Sequence, residues 1–179
     1  MNTVLFFLAL LSVTSPKPTS RALPSCNVDR TAQIHFSSAS SFDTLRVAVR
    51  GNPCWEGMAT ISITRKNGEV IYRRDQRFKV LTPAQWDDPN LQMDAERFVK
   101  YTIEEGIIGE SSKLPPWEGN GDDFYEKNAT SLAVSPERYE SLRKQNLPVF
   151  YHQTYYEGGV DLVYDPSQKT VVIVLEGGL

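Results

Sequence analysis

The sequence predicts an α+β protein: two antiparallel β-meanders, about residues 44–78 and 149–175, separated by a helical segment, with one or two helices packed on the sheet. Three observations carry this. Residues 44–50 and 58–65 alternate apolar and polar, and the second run reaches Asn67-Gly68, a dipeptide suited to hairpin turns. Leu91, Ala95, Phe98, Val99 and Thr102 recur at helical spacing. Val171-Val172-Ile173-Val174-Leu175 is a continuous apolar run bounded by turn residues, as expected of a central strand buried on both faces.

The chain has 179 residues, with 40% hydrophobic and 23% charged side chains, the composition of a globular domain. Its start, Val4-Leu5-Phe6-Phe7-Leu8-Ala9-Leu10-Leu11, is too short for a transmembrane helix, which takes about 20 residues, and matches the apolar core of a signal peptide. Residues 1–22 are therefore read as a signal peptide, 23–30 as an N-terminal arm and 31–179 as one domain. An exported chain with only two cysteines, Cys26 and Cys54, points to a disulfide between them, contributing roughly 3 kcal/mol through loop closure. Leu23-Pro24-Ser25-Cys26 also resembles a lipoprotein box, so a lipid anchor at Cys26 is the alternative. Pro24 and the polar spacer Ser15–Ala22 argue against it.

Within the domain, Thr31–Phe36 is expected as a first strand and Thr44–Arg50 as a second, with Leu45, Val47 and Val49 on one face. A two-residue turn at Asn67-Gly68 would pair Arg65 with Val70 and Ile63 with Tyr72. Ile61, Ile63, Val70 and Tyr72 would then share a face; a three-residue loop with a bulge would instead set Ile63 opposite Ile71. Thr82-Pro83-Ala84-Gln85 has the pattern of a helix start and Asp88-Pro89 that of a second one, with Gly106 as the stop. Residues 106–128 show little periodicity and read as a long loop, either functional or disordered. Ser135-Pro136-Glu137 opens a short helix. Strands 149–156, 160–164 and 170–175 follow, linked by turns at Glu157-Gly158-Gly159 and Asp165-Pro166-Ser167-Gln168.

The motifs exclude more than they assign. A net charge of −3 gives no reason to expect nucleic acid. The sequence carries no nucleophile elbow, dinucleotide fingerprint or phosphate loop, and Asn120-Gly121-Asp122-Asp123 lacks the spacing of an EF-hand, so no cofactor or metal is called for. His35 and His152 are the only histidines. His152 alternates with Phe150 and Thr154 in an aromatic strand, where packing is the commoner role. The sharper reading would pair it with the loop carboxylates Glu110, Glu118, Asp122, Asp123 and Glu126 in a cell-envelope hydrolase.

Charge is segregated: Arg65, Lys66, Arg73, Arg74, Arg77 and Lys79 crowd the hairpin, while residues 86–126 are mainly acidic. Trp117, on the Pro-stiffened Leu114-Pro115-Pro116 segment, is the first candidate for an interface anchor, against the alternative of a loop pinned to its own domain. Arg73, Arg74, Arg77 and Tyr155 complete the candidate binding residues. The resulting expectation is a small periplasmic or secreted, non-catalytic protein-binding domain, such as an inhibitor, an immunity factor or an envelope adaptor. The alternatives are the hydrolase and a structural envelope protein.

Overall fold

In a computed structural model, residues 22–178 are described; the apolar N-terminal run lies outside them. The elements in chain order are β1 (Cys26–Ile34), β2 (Asp43–Gly51), β3 (Met58–Thr64), β4 (Val70–Arg77), α1 (Leu91–Glu105), β5 (Ile107–Glu110), α2 (Gly121–Asn128), β6 (Thr130–Leu132), α3 (Pro136–Arg143), β7 (Pro148–Tyr155), β8 (Gly158–Asp165) and β9 (Thr170–Gly178). The fold is α+β, and its strands form two separate antiparallel sheets. The first is a four-stranded meander, β1-β2-β3-β4; the second is five-stranded, in the order β5-β7-β8-β9-β6.

The alternation of β1–β3 places Val28, Leu45, Val47, Ile61 and Ile63 on one face, which packs on α1 and on Phe150, Val160 and Leu162 of the second sheet. The α1 residues buried there are Leu91, Ala95, Phe98, Val99 and Thr102, the stripe read from the sequence. The second sheet's other face holds Val149, Val163, Val172 and Val174 under Phe124 of α2 and Tyr139 and Leu142 of α3. Each fully buried aliphatic side chain contributes about 1.5–3 kcal/mol, so the doubly covered second sheet is where much of the stability resides.

Several local expectations change. The first strand begins at Cys26, because Cys26 and Val28 alternate inward opposite Gly51 and Val49. In the hairpin, Arg65 N donates to the Glu69 carbonyl (2.8 Å) and Gly68 N to the Arg65 carbonyl (2.9 Å), a three-residue loop with Gly68 at φ 88°. A register shift between Ile63 and Thr64 then restores Ile63 opposite Tyr72, while Val70 pairs with Thr64 and is exposed. Thr82 does not open a helix. Its Oγ1 accepts from Ala84 N (3.1 Å) and donates to Asp94 Oδ2 (2.9 Å), strapping the segment to the first turn of α1. Gly106 stops α1 by packing: its φ is an ordinary −63°, but a Cβ would overlap the Phe150 ring.

The stretch 106–128 is also more regular than its composition suggests. It contains β5 and α2, the latter capped by Asn120, whose Oδ1 accepts from Asp122 N (3.0 Å), with Asp122 and Asp123 at the positive end of the helix dipole. The run 171–175 is not central. β8 is the middle strand, and Val171 and Ile173 of β9 are only partly buried.

Cys26 and Cys54 form a disulfide, Cα–Cα 4.8 Å, between β1 and the turn before β3. A lipidated Cys26 and this bridge are mutually exclusive. Among the described residues no helix is long and apolar enough to cross a membrane.

Candidate functional site

The antiparallel pairing of β8 with β9 sets Gly158 opposite Gly178 and Gly159 opposite Gly177. Four residues without side chains therefore meet at one end of the second sheet and leave a floor of bare backbone. A recess of about 540 Å³ opens above it. Its sides are Tyr101 from α1, Ile108 from β5, Tyr151 from β7, Leu175 from β9, and Asn128, Ala129 and Thr130 where α2 runs into β6. The Tyr151 ring lies so close over Gly159 that a Cβ there would sit 2.7 Å from Tyr151 Cε2, and the Tyr155 hydroxyl would be 3.0 Å from a Cβ on Gly178.

Among the described residues, Asp161 is the one charged side chain lining the recess. It is the cross-strand neighbour of Tyr151 and the only residue of β8 that is not buried. Desolvation pushes its pKa up to about 6, with no hydrogen bond or cation opposing that shift. The same crowding raises the Tyr151 hydroxyl, through burial first and then through Tyr101, Asp161 and Tyr155. Thr130 also lines the wall, with its Oγ1 buried and without a hydrogen-bond partner. A carboxylate in this position can accept from a donor or balance a cation entering between the tyrosines. Among the described residues no group of three or more His, Cys, Asp or Glu converges to hold a metal.

His152 points to the opposite face of the sheet, opposite Val160 in the inter-sheet core, and is fully buried. Its Nδ1 lies 2.9 Å from the Gln153 carbonyl, so that nitrogen carries the proton, and Nε2 accepts from the Tyr72 hydroxyl at 2.5 Å. Burial lowers its pKa to about 4, outweighing the Gln153 carbonyl, with Arg74 adding to the depression. The loop carboxylates Glu110, Glu118, Asp122, Asp123 and Glu126 are all exposed, and Glu118 pairs with Lys127 at 3.1 Å. None of them is a partner of His152, so the geometry for carboxylate–histidine hydrolysis is not assembled.

The candidate binding residues scatter. Trp117 is half-buried against Phe124 (centroids 5.5 Å), and its backbone N donates to Glu140 Oε1 (2.9 Å). Arg73 is exposed on edge strand β4 and ion-paired with Asp75 (2.8 Å), while Arg77 and Lys79 reach Glu56. Arg74, on the other face of β4, donates to Gln76 Oε1 (3.1 Å). The basic hairpin thus meets its counter-charges largely within its own sheet and turn. Tyr155 alone of these residues borders the recess, through Gly158 and Gly178.

Sequence reasoning missed Tyr101, Tyr151 and Asp161 as a group. The sequence shows both glycine pairs, but the register propagated from the β8–β9 turn would set Gly159 opposite Glu176; only the irregularity between Asp161 and Leu162 brings Gly158-Gly159 against Gly177-Gly178. Comparison with protein-family models, with curated proteins and with solved structures finds no match.

Proposed function

We propose that this is an exported, disulfide-tied protein that works by binding a partner protein rather than by catalysis, with the glycine-floored recess as the centre of its interface. The observation that carries this reading is a carboxylate left unpaired and desolvated on the wall of an open recess, a costly arrangement that the partner would relieve. The surroundings fit an interface. Exposed Tyr101 and Ile108 line the recess, Tyr155 borders it, and Tyr101 also lines an adjoining groove with exposed Tyr156 and with Arg97.

The preference for binding over catalysis rests on separation. The two groups with the most displaced acid–base behaviour, His152 and Asp161, occupy opposite faces of the second sheet and cannot act on one substrate. The disulfide supports an oxidising compartment, and intact-mass measurement of the exported form tests cleavage and the Cys26–Cys54 bridge together. The interface is tested by quantitative affinity capture from the native cell fraction. Tyr101→Ala is expected to lower recovery of the partner at least tenfold, while Arg73→Ala leaves it unchanged. Equal capture by Tyr101→Ala and the unaltered protein would refute the recess as the interface.

A further inference from the structure

We propose that the recess receives an N–H-bearing organic cation, an alkylammonium or guanidinium group, held between Tyr101 and Tyr151 with Asp161 as its counter-ion. This rests on the reading of the recess as a binding site and deepens it by naming the chemistry of what enters.

Charge sets the sign. Among the described residues Asp161 is the single charged side chain on the wall, and no Lys, Arg or His lines the recess to neutralise it. An anion would meet an unpaired carboxylate, and a neutral apolar group would bury that carboxylate further without compensation. The C-terminal turn of α2, at Asn128 and Ala129, adds the negative end of a helix dipole to the same wall.

Geometry sets the class of cation. Tyr101 and Tyr151 line the recess, and aromatic rings attract a cation most strongly where water is displaced. Asp161 accepts hydrogen bonds, so a cation that carries N–H groups gains over a quaternary one. A lone carboxylate is a poor metal site, whereas about 540 Å³ with apolar walls suits an organic group. The ionisable groups in electrostatic reach of Asp161 are Tyr151 of β7 and Tyr139 of α3, and Tyr101 and Tyr155 lie beside Tyr151. Burial raises the hydroxyls of Tyr139 and Tyr151 above the ordinary phenol value, so neither contributes charge and Asp161 is the group that titrates between pH 5 and 7.5.

The test uses the disulfide-intact protein and NMR titration of the Gly158, Gly159 and Gly177 amides with n-butylammonium, n-butylguanidinium and the neutral n-butanol. The cations are expected to shift these resonances saturably and at least tenfold more tightly than n-butanol. Binding is expected to be about tenfold weaker at pH 5 than at pH 7.5, because Asp161, at about 6, is then mostly protonated. Asp161→Asn is expected to abolish the preference for cations while keeping native amide dispersion, and Tyr151→Leu to weaken both cations.

Equal affinity for n-butanol, or cation binding unchanged in Asp161→Asn, would overturn the cation assignment while leaving the recess as a site. No shift with any probe would overturn it as well, and partner capture insensitive to Tyr101→Ala would remove the underlying reading. A further arm compares blocked lysine with free 1,4-diaminobutane. Tighter binding of blocked lysine assigns the cation to a partner's side chain; tighter binding of the diamine assigns it to a free amine.

Discussion

Asp161 and Asp165 lie on the same strand and the same face, four positions apart, and they have opposite environments. Asp165 closes the β8–β9 turn. Its Oδ1 accepts from Ser167 N (2.9 Å), Ser167 Oγ (2.6 Å) and Gln168 N (3.3 Å), and Arg138 Nη2 approaches Oδ2 at 3.3 Å. Burial alone would raise its pKa, but these bonds and the guanidinium hold it below the usual carboxylate range. Asp161 is also desolvated, and nothing opposes the shift. Burial of a carboxylate is thus no indication of function in itself. Asp165 is explained by the turn it builds; Asp161 is not explained by anything the fold needs.

The largest loss is expected at Asp165. Asp165→Ala orphans the backbone amides of Ser167 and Gln168 and leaves Arg138 with only Gln168 Oε1 as a partner, with an expected loss of about 3 kcal/mol in urea unfolding at pH 7. Asp161→Asn is expected to do the reverse and raise stability by about 2 kcal/mol at the same pH. The signs follow from linkage. Asp165, with a depressed folded pKa, contributes stability above its unfolded value near 3.9, lost as pH falls through the folded value. Asp161, raised to about 6, is a penalty above that pH, and the penalty disappears as pH falls from about 6 to about 4. The advantage of Asp161→Asn should therefore vanish by pH 4. A loss of stability in that variant at pH 7 would show that an unrecognised donor satisfies the carboxylate.

His152 sharpens the same contrast from inside the core. Tyr72→Phe removes the only donor to Nε2 and is expected to cost about 1–2 kcal/mol by the same unfolding measurement, without altering cation uptake in the recess. His152, lowered to about 4, favours the folded state above pH 6.5, and that contribution is lost as pH falls from there towards 4. Over this window His152 and Asp161 act in opposite directions, so the unaltered protein should show a flatter acid profile than Asp161→Asn.

The parts of the molecule legible in the sequence are those governed by period. The inward faces of β2 and β3 follow alternation, and the five buried positions of α1 follow helical spacing, because one covered face imposes a regular pattern. The second sheet is covered on both faces, which erases alternation and hides which strand is central. The capping pattern of α2 was readable in Asn120-Gly121-Asp122-Asp123, but its helix is short and its glycines resemble a loop. The recess is tertiary. Tyr101, Thr130, Tyr151 and Asp161 come from four elements, and only the register of β8 with β9 turns two glycine pairs into one floor. Glu157-Gly158-Gly159 reads as a turn in isolation, and that reading conceals the floor.

The smallest expected effect tests whether the two ends of β8 differ in backbone strain as well as in charge. Ala129, on the wall of the recess, holds φ 53°, and Lys169, beside the Asp165 turn, holds φ 54°. Both are left-handed conformations that cost a residue with a Cβ, and glycine relieves that cost at each site. Ala129→Gly and Lys169→Gly are each expected to raise stability by about 0.5–1 kcal/mol in urea unfolding, less than the change at either aspartate. Equal gains would place the difference between the two ends in the carboxylates alone. A gain at Lys169 with none at Ala129 would mean that the wall of the recess already relaxes in solution, and the unpaired state of Asp161 would then require re-examination by the same titrations.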